Sequence, residues 1–233
     1  MKVEIYSDVA CPWCYIGKRR FERALADFAG AAGVEVVYRP YQLDPSAAAT
    51  ATPLMPELTR RYGPRAREMA GSAAAAGRAE GLTMDFDRAL ASNTLAAHRL
   101  LHLAETEYGA AVQHALSERL FAAHFGGGAD VSDPAVLTGL ATEAGMDRAR
   151  VGAYLASNDG TAEVRAGIAT ARELGITAVP TFVFEDRYAV QGAQPPAAFL
   201  QALETVAGEL RADAPPAGDA DCADGACAVP PAS

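Results

Sequence analysis

The sequence predicts an α/β fold with a large all-helical domain inserted after a β-α-β half, and a flexible acidic tail behind it. Two observations predict this. Strand patterns gather near the two ends of the frame, in β-α-β order at the start and α-β-β-α order at the return. Between about residues 45 and 160 the pattern is helical, with no convincing strand. The chain has 233 residues and is 50% hydrophobic, which is enough for one large domain or a domain with an insertion.

Residues 2–7 alternate as a buried strand, 12–29 carry helical periodicity, and Val34-Glu35-Val36-Val37-Tyr38 reads as a second strand ended by Pro40. A helix of that length suits a parallel crossover. Asp44-Pro45 and the Ser/Ala/Thr/Pro stretch up to Pro56 then read as a loop. Helical periodicity follows over 57–79, 86–107, 111–125, 133–144 and 147–157. On the return, Thr161–Leu174 reads as a helix closed by Gly175, and Pro180-Thr181-Phe182-Val183-Phe184 as a strong strand. Tyr188-Ala189-Val190-Gln191 is its hairpin partner across the turn Glu185-Asp186-Arg187, and Pro195-Pro196 opens a last helix to about Arg211. The expected boundaries are a discontinuous frame over 1–45 and 160–211, the helical insertion domain over 46–159, and the tail over 212–233. The tail is rich in Ala, Pro, Gly and Asp.

Composition excludes several function classes. The net charge is −9, which argues against a nucleic-acid surface. Four of the acids, Asp213, Asp219, Asp221 and Asp224, follow Arg211, so the body is only mildly acidic. No apolar run approaches the ~20 residues of a membrane span, and no membrane partner is expected. No basic-then-apolar leader precedes the first strand, from which a cytoplasmic setting is expected. In a reducing compartment, close cysteine pairs suit catalysis or metal binding better than structural cross-links.

The chemistry concentrates at Cys11-Pro12-Trp13-Cys14. A strand delivers both cysteines to the first turn of a helix, where unpaired N–H groups and the helix dipole favour a thiolate. Pro12 suits an early helical position, where its missing N–H costs little. Cys11 is expected to be the exposed nucleophile and Cys14 the shielded resolving thiol. The competing reading is half of a structural zinc site, which would need two more ligands. The other pair, Cys222 and Cys227, lies in the polar tail, so the redox reading is preferred and no metal is expected. No nucleotide or flavin motif appears either, so no cofactor is expected.

The chain resembles the thioredoxin superfamily, in its DsbA-like branch, and within it the FrnE-type disulfide oxidoreductases. These adjoin the kappa glutathione transferases and the 2-hydroxychromene-2-carboxylate isomerases. The resemblance is carried by Ser7 to Gly17, by Arg39 to Pro45, and by Ser92-Asn93-Thr94 with Ala97-His98-Arg99-Leu100. Gly175 to Phe184 and Ala189 to Pro195 complete it. It covers about 1–210 and implies a thioredoxin fold with a helical insert. It also implies a cis bond at Val179-Pro180, facing the cysteines and exposing the Val179 backbone to an extended substrate. The transferase and isomerase relatives carry serine where this chain has Cys11, which moves the expected activity to thiol–disulfide exchange on protein thiols and disulfides. Glutathione and a thioredoxin-type protein are the further partners this allows.

Other residues carry weaker signals. Cys222 and Cys227, with four residues between them around Asp224-Gly225, read as a second redox pair exchanging electrons with the first, as a passive pair, or as metal ligands. The resemblance supports the first reading. Asn93 and His98 lie in a family-like segment and are candidates for a groove. His98 and His102 share a helix face, where an ordinary polar or core role outweighs a metal pair. Trp13 reads as a contact for unfolded substrate or as packing. Asp8 reads as a helix cap or as an aid to Cys14 proton transfer. Two rival functions remain at this level, a glutathione-dependent transferase or isomerase of a small aromatic compound, and a holdase chaperone.

Overall fold

The structure, a computed structural model, describes residues 1–213. Four strands form the central sheet: β1 (Lys2–Ser7), β2 (Glu35–Pro40), β5 (Thr181–Phe184) and β6 (Tyr188–Gln191), in the order β2-β1-β5-β6. β1 runs parallel to β2, with Ile5 opposite Tyr38. It runs antiparallel to β5, with Ile5 opposite Phe182. The crossover between β1 and β2 is α1 (Pro12–Asp27).

Alternation along β1 divides the sheet into two faces. Val3 and Ile5 join Phe21 of α1, Phe182 and Phe184 of β5, and Phe199 and Leu203 of α9 (Pro196–Asp213) in one core. Four of these phenylalanines pack with ring centroids 4.5 to 6.3 Å apart. On the other face Tyr6 meets Ala171 of α8 (Thr161–Glu173), with Ile176 just beyond that helix. This is the thioredoxin-like frame.

The insert lies between β2 and α8. It holds α2 (Leu54–Tyr62), α3 (Arg65–Ala79), α4 (Leu95–Leu103), α5 (Ala110–Phe121), α6 (Pro134–Glu143) and α7 (Arg148–Ala156). α6 and α7 start on side-chain caps: Asp133 accepts from Ala135 N at 2.6 Å, and Asp147 from Arg150 N at 2.7 Å. Leu100, Leu103, Leu116, Leu120, Leu137 and Val151 fill the core of this group. One buried side chain ties it to the sheet. Gln113 of α5 accepts from the Tyr38 amide at 2.9 Å and donates to the Tyr38 carbonyl at 3.0 Å, completing the outer edge of β2 as a strand would.

Three details depart from the sequence reading. The run 57–79 breaks into two helices at Gly63-Pro64, where Gly63 takes φ +62 and Pro64 caps α3. Residues 86–94 are not helical. Asp85 Oδ1 accepts from the Asp87 and Arg88 amides, an Asx turn that competes with helix. The strand-free insert also contains a short bridge, β3 (Thr52–Pro53) with β4 (Leu90–Ala91). Among the described residues no helix is long and apolar enough to cross a membrane.

Candidate active site

β1 ends in the turn Ser7 to Ala10, which places Cys11 at the N-cap of α1 in an extended conformation, with Pro12 as the first helical residue. The Cys11 carbonyl accepts the Cys14 amide at 3.1 Å. Across from it the Val179–Pro180 bond is cis, and the Cys11 thiol lies 3.6 Å from the Val179 carbonyl oxygen. Gly17, less than one turn after Cys14, makes room for this loop: a Cβ there would stand 2.9 Å from Pro180 Cγ.

Cys11 is not the open thiol that a helix start suggests. It is 5% exposed and Cys14 2%. Met55 of α2, Ala66 and Ala70 of α3, and Phe121 and Phe125 of and after α5 belong to the same buried cluster as the pair, together with Tyr15 and Ile16. Much of that cluster comes from the insert, which no local pattern around the cysteines encodes. Trp13 is 41% exposed and points outward from the same turn. Burial pushes the Cys14 thiol well above its ordinary range. The hydrogen bond and charge of Cys11 add to this, while the Asp8 amide and Ser7 hydroxyl partly oppose it.

Asp8 does not cap α1, since no side chain does. Its carboxylate accepts from Leu43 N at 2.7 Å and Ala10 N at 3.3 Å, and lies 3.3 Å from His98 Nε2. Burial works to raise its pKa, but the His98 hydrogen bond and charge, the Leu43 amide and Thr94 outweigh this and hold it below the usual range. Asn93 is committed to the chain around it, accepting from Gln42 Nε2 and Leu95 N and donating to the Ala47 carbonyl. His98 and His102 line a cavity of about 350 Å³ on the α8 side of the sheet. Among the described residues no group of three His, Cys, Asp or Glu side chains is placed to hold a metal. Cys222 and Cys227 lie outside the described residues. The link between Asp8 and His98 escaped sequence reasoning because 90 positions separate the two.

The family model for the DSBA-like thioredoxin domain matches residues 2–204. The chain belongs to this family. Among solved structures, the probable DsbA oxidoreductase SCO1869 from Streptomyces coelicolor is 40% identical, with a TM-score of 0.83, covering 99% of this chain and 100% of that one. The uncharacterized protein YwbO from Bacillus subtilis is 30% identical over 187 residues, 79% of this chain and 86% of that protein. Two more distant structures share the fold alone. The cytosolic disulfide reductase DsbM from Pseudomonas aeruginosa with GSH has 21% identity and a TM-score of 0.60, covering 91% of this chain and 100% of that one. A 2-hydroxychromene-2-carboxylate isomerase has 18% identity and a TM-score of 0.61, covering 91% and 96%.

Proposed function

We propose that the protein is a DsbA-type thiol–disulfide oxidoreductase whose Cys11–Cys14 couple exchanges with thiols and disulfides of protein substrates. The observation that carries this reading is the placement of Cys11 at the N-cap of α1, against the Val179 carbonyl, with Cys14 buried behind it. The likeness to SCO1869 over nearly the whole of both chains supports it.

In the oxidising direction a substrate thiolate attacks the Cys11 sulfur of the Cys11–Cys14 disulfide. Cys14 leaves and takes a proton, and a mixed disulfide joins Cys11 to the substrate. A second substrate thiolate then attacks the substrate sulfur of that bond. Cys11 leaves as thiolate, and the substrate has lost two electrons to the enzyme. The reverse sequence reduces a substrate disulfide, with Cys14 releasing its proton as it displaces the substrate from Cys11. The raised pKa of the buried Cys14 thiol suits its role as the group that takes up and gives back a proton. Pro12, Trp13 and the Val179–Pro180 loop form the substrate-facing surround. Glutathione is a second thiol partner in this reading, consistent with the DsbM structure with GSH. The Cys222/Cys227 pair exchanges with the first pair, supported by a linker of nine positions from Asp213 to Cys222, an extended reach of about 30 Å.

Insulin reduction tests the central claim. Cys11→Ser should abolish turnover, and Cys14→Ala should accumulate a mixed disulfide with a substrate protein. Full insulin-reducing activity in Cys11→Ser would reject thiol exchange at this site. Retained protection of a heat-aggregating client in the same variant would favour a holdase.

A further inference from the structure

In thiol–disulfide exchange the Cys14 sulfur takes up or gives back a proton each time its bond to Cys11 breaks or forms, yet Cys14 is 2% exposed. A thiol so far inside needs a neighbour that hands the proton on. Its sulfur is hydrogen-bonded by the Cys11 thiol, the Asp8 amide and the Ser7 hydroxyl. Cys11 is the sulfur under attack, and a backbone amide keeps its proton. A hydroxyl both donates and accepts, so it can pass one proton forward while it receives another. The buried charges nearby are committed elsewhere. The Asp8 carboxylate is turned to the Leu43 and Ala10 amides and to His98, and Lys18 of α1 is taken by Glu22 and Glu118.

The strand places this hydroxyl. Alternation puts Ser7, the last residue of β1, on the face of Val3 and Ile5, against which α1 packs. That row is apolar until it reaches the turn before Cys11, where it ends in a serine that is 6% exposed. Ser7 also lines the cavity of about 350 Å³ on the α8 side of the sheet. Beside it the buried wall of the cavity includes Ser117 and Phe121 of α5, and Phe121 belongs to the buried cluster that holds both cysteines. The rim is formed by Glu163 and Thr170 of α8, with Leu174 and Asp186, all of them exposed. Between wall and rim the lining is polar: Arg39 is there with Glu4 and Glu105, at 2.8 Å from each. A space this roomy and polar holds water. The cavity thus joins the far side of the buried thiol to solvent.

We infer that Ser7 is a catalytic residue of the couple: its hydroxyl relays the proton of Cys14 to and from water in the cavity on the α8 side of the sheet. The inference rests on the redox reading of that couple. When a substrate thiolate attacks the Cys11 sulfur, its electron pair forms the new S–S bond, and the pair of the Cys11–Cys14 bond departs on Cys14. The Cys14 sulfur takes the proton of the Ser7 hydroxyl. The Ser7 oxygen takes one from cavity water, and that water is replenished from solvent at the rim. Ser7 ends as it began, and one proton has moved from solvent to Cys14. In the reducing direction each proton moves back as Cys14 attacks Cys11 and the substrate leaves as a thiolate. Burial raises the Cys14 pKa, so a bare thiolate is a poor leaving group there, and a proton delivered as the bond breaks lowers the barrier.

The test mixes oxidised full-length protein rapidly with reduced glutathione and follows the opening of the Cys11–Cys14 bond by acid quenching and peptide mass spectrometry. Ser7→Ala should slow this step by about tenfold, short of the ~10²-fold or more that a positioned acid supplies, because water can enter the space of the hydroxyl. Ser7→Thr keeps the hydroxyl and should restore the rate. The unmodified protein should open more slowly in deuterium oxide, with a curved dependence on deuterium fraction because two protons move together, and Ser7→Ala should lose the curvature. A second reaction separates a relay from a packing role. In Cys14→Ala protein, Cys11 captures oxidised glutathione with no Cys14 proton to move, so adding Ser7→Ala should leave the capture rate as it was. A serine that only packs under the turn would slow both reactions alike. The inference is overturned if Ser7→Ala opens at the unmodified rate, if Ser7→Thr is as slow as Ser7→Ala, or if capture slows as much as opening. If Ser7→Ala does not fold, Thr170→Trp at the exposed rim decides: it should slow opening but not capture, and an unchanged opening rate overturns the inference. If glutathione does not open the bond in the unmodified protein, the redox reading itself fails and the relay falls with it.

Discussion

Replacing Gly17 with Ala sets two known magnitudes against each other at the active site. In an open helix the change should stabilise, because alanine exceeds glycine by about 1 kcal/mol in a helix interior. Here the new Cβ would stand 2.9 Å from Pro180 Cγ and 3.4 Å from the Phe182 ring. Carbon contacts are comfortable from about 3.5 Å, so the loop must withdraw by roughly 0.6 Å to restore that distance. Phe182 is fully buried and a proline ring has little freedom to turn aside. Overpacking of this kind costs about 1–3 kcal/mol. The net expectation is a loss of about 1 kcal/mol, or a melting temperature lower by roughly 2–4 °C for a chain of this size. The withdrawn loop carries the Val179 carbonyl away from the Cys11 sulfur, now 3.6 Å from it. Since a 1 Å misplacement can cost about a hundredfold in rate, insulin reduction should slow by about tenfold. Gly71→Ala on α3 is the control: nothing lies within 4 Å of its Cβ, so it should gain about 1 kcal/mol at unchanged rate. Urea unfolding and insulin turnover read both variants. If Gly17→Ala gains as much as Gly71→Ala and keeps its rate, the fit of α1 against the Pro180 loop is not the constraint argued here.

Two further outcomes are expected. Burial alone would raise the Glu22 carboxyl, but the His114 hydrogen bond and the charge and hydrogen bond of Lys18 bring it down to about 2. Against an ordinary value of 4.5, this is worth up to about 3 kcal/mol, present above pH 4.5 and lost as pH falls through about 2. The unfolding free energies of the unmodified protein and Glu22→Gln should therefore differ at pH 6 and converge towards pH 2, and a gap that does not change with pH would contradict this. Truncation after Asp213 should leave the thermal melt of the body intact but change its rate of oxidation by a substrate disulfide. An unchanged rate, with no cross-link from Cys222 or Cys227 to Cys11 by mass spectrometry, would make the tail a passenger.

The frame was legible in the sequence because its signals are local. Alternation at 2–7, a helix length suited to a parallel crossover and the hairpin pattern at 180–191 each encode one element, and the structure forms all of them. The insert was legible as helical but not in its joints. Gly63-Pro64 carries a turn signal, yet the apolar periodicity on either side runs through it. α4 and α5 both end in widened π-type turns, 104–108 and 122–127, whose residues keep a helical pattern at altered register. What no local pattern gives is contact across the chain. Gln113 completing β2, His98 meeting Asp8, and Met55 and Phe121 sharing a buried cluster with Cys11 are all long-range, and none of them is written in the residues around the motif.

The setting of the couple is therefore decided by the insert as much as by the motif. α1 is where the two parts lock. Arg20 and Arg23 on one side reach Glu80 at the end of α3, at 2.7 Å each, and Arg20 also donates to the Ala193 carbonyl beside the Pro180 loop at 2.6 Å. Nearby on the same helix Tyr15 donates to Glu118 of α5 at 2.8 Å and its ring stacks on Phe121 at 5.1 Å, while Lys18 and Arg19 donate to the same carboxylate. These ties are mostly half-buried, and pairs of that kind contribute modestly one by one. Their geometric effect is larger. They hold α3 and α5 against the helix that begins at Cys11, within the buried cluster that Ala66, Ala70, Phe121 and Phe125 share with both cysteines. Burial is the leading cause of the raised Cys14 pKa, and the helices of the insert contribute to the cluster in which that thiol is buried.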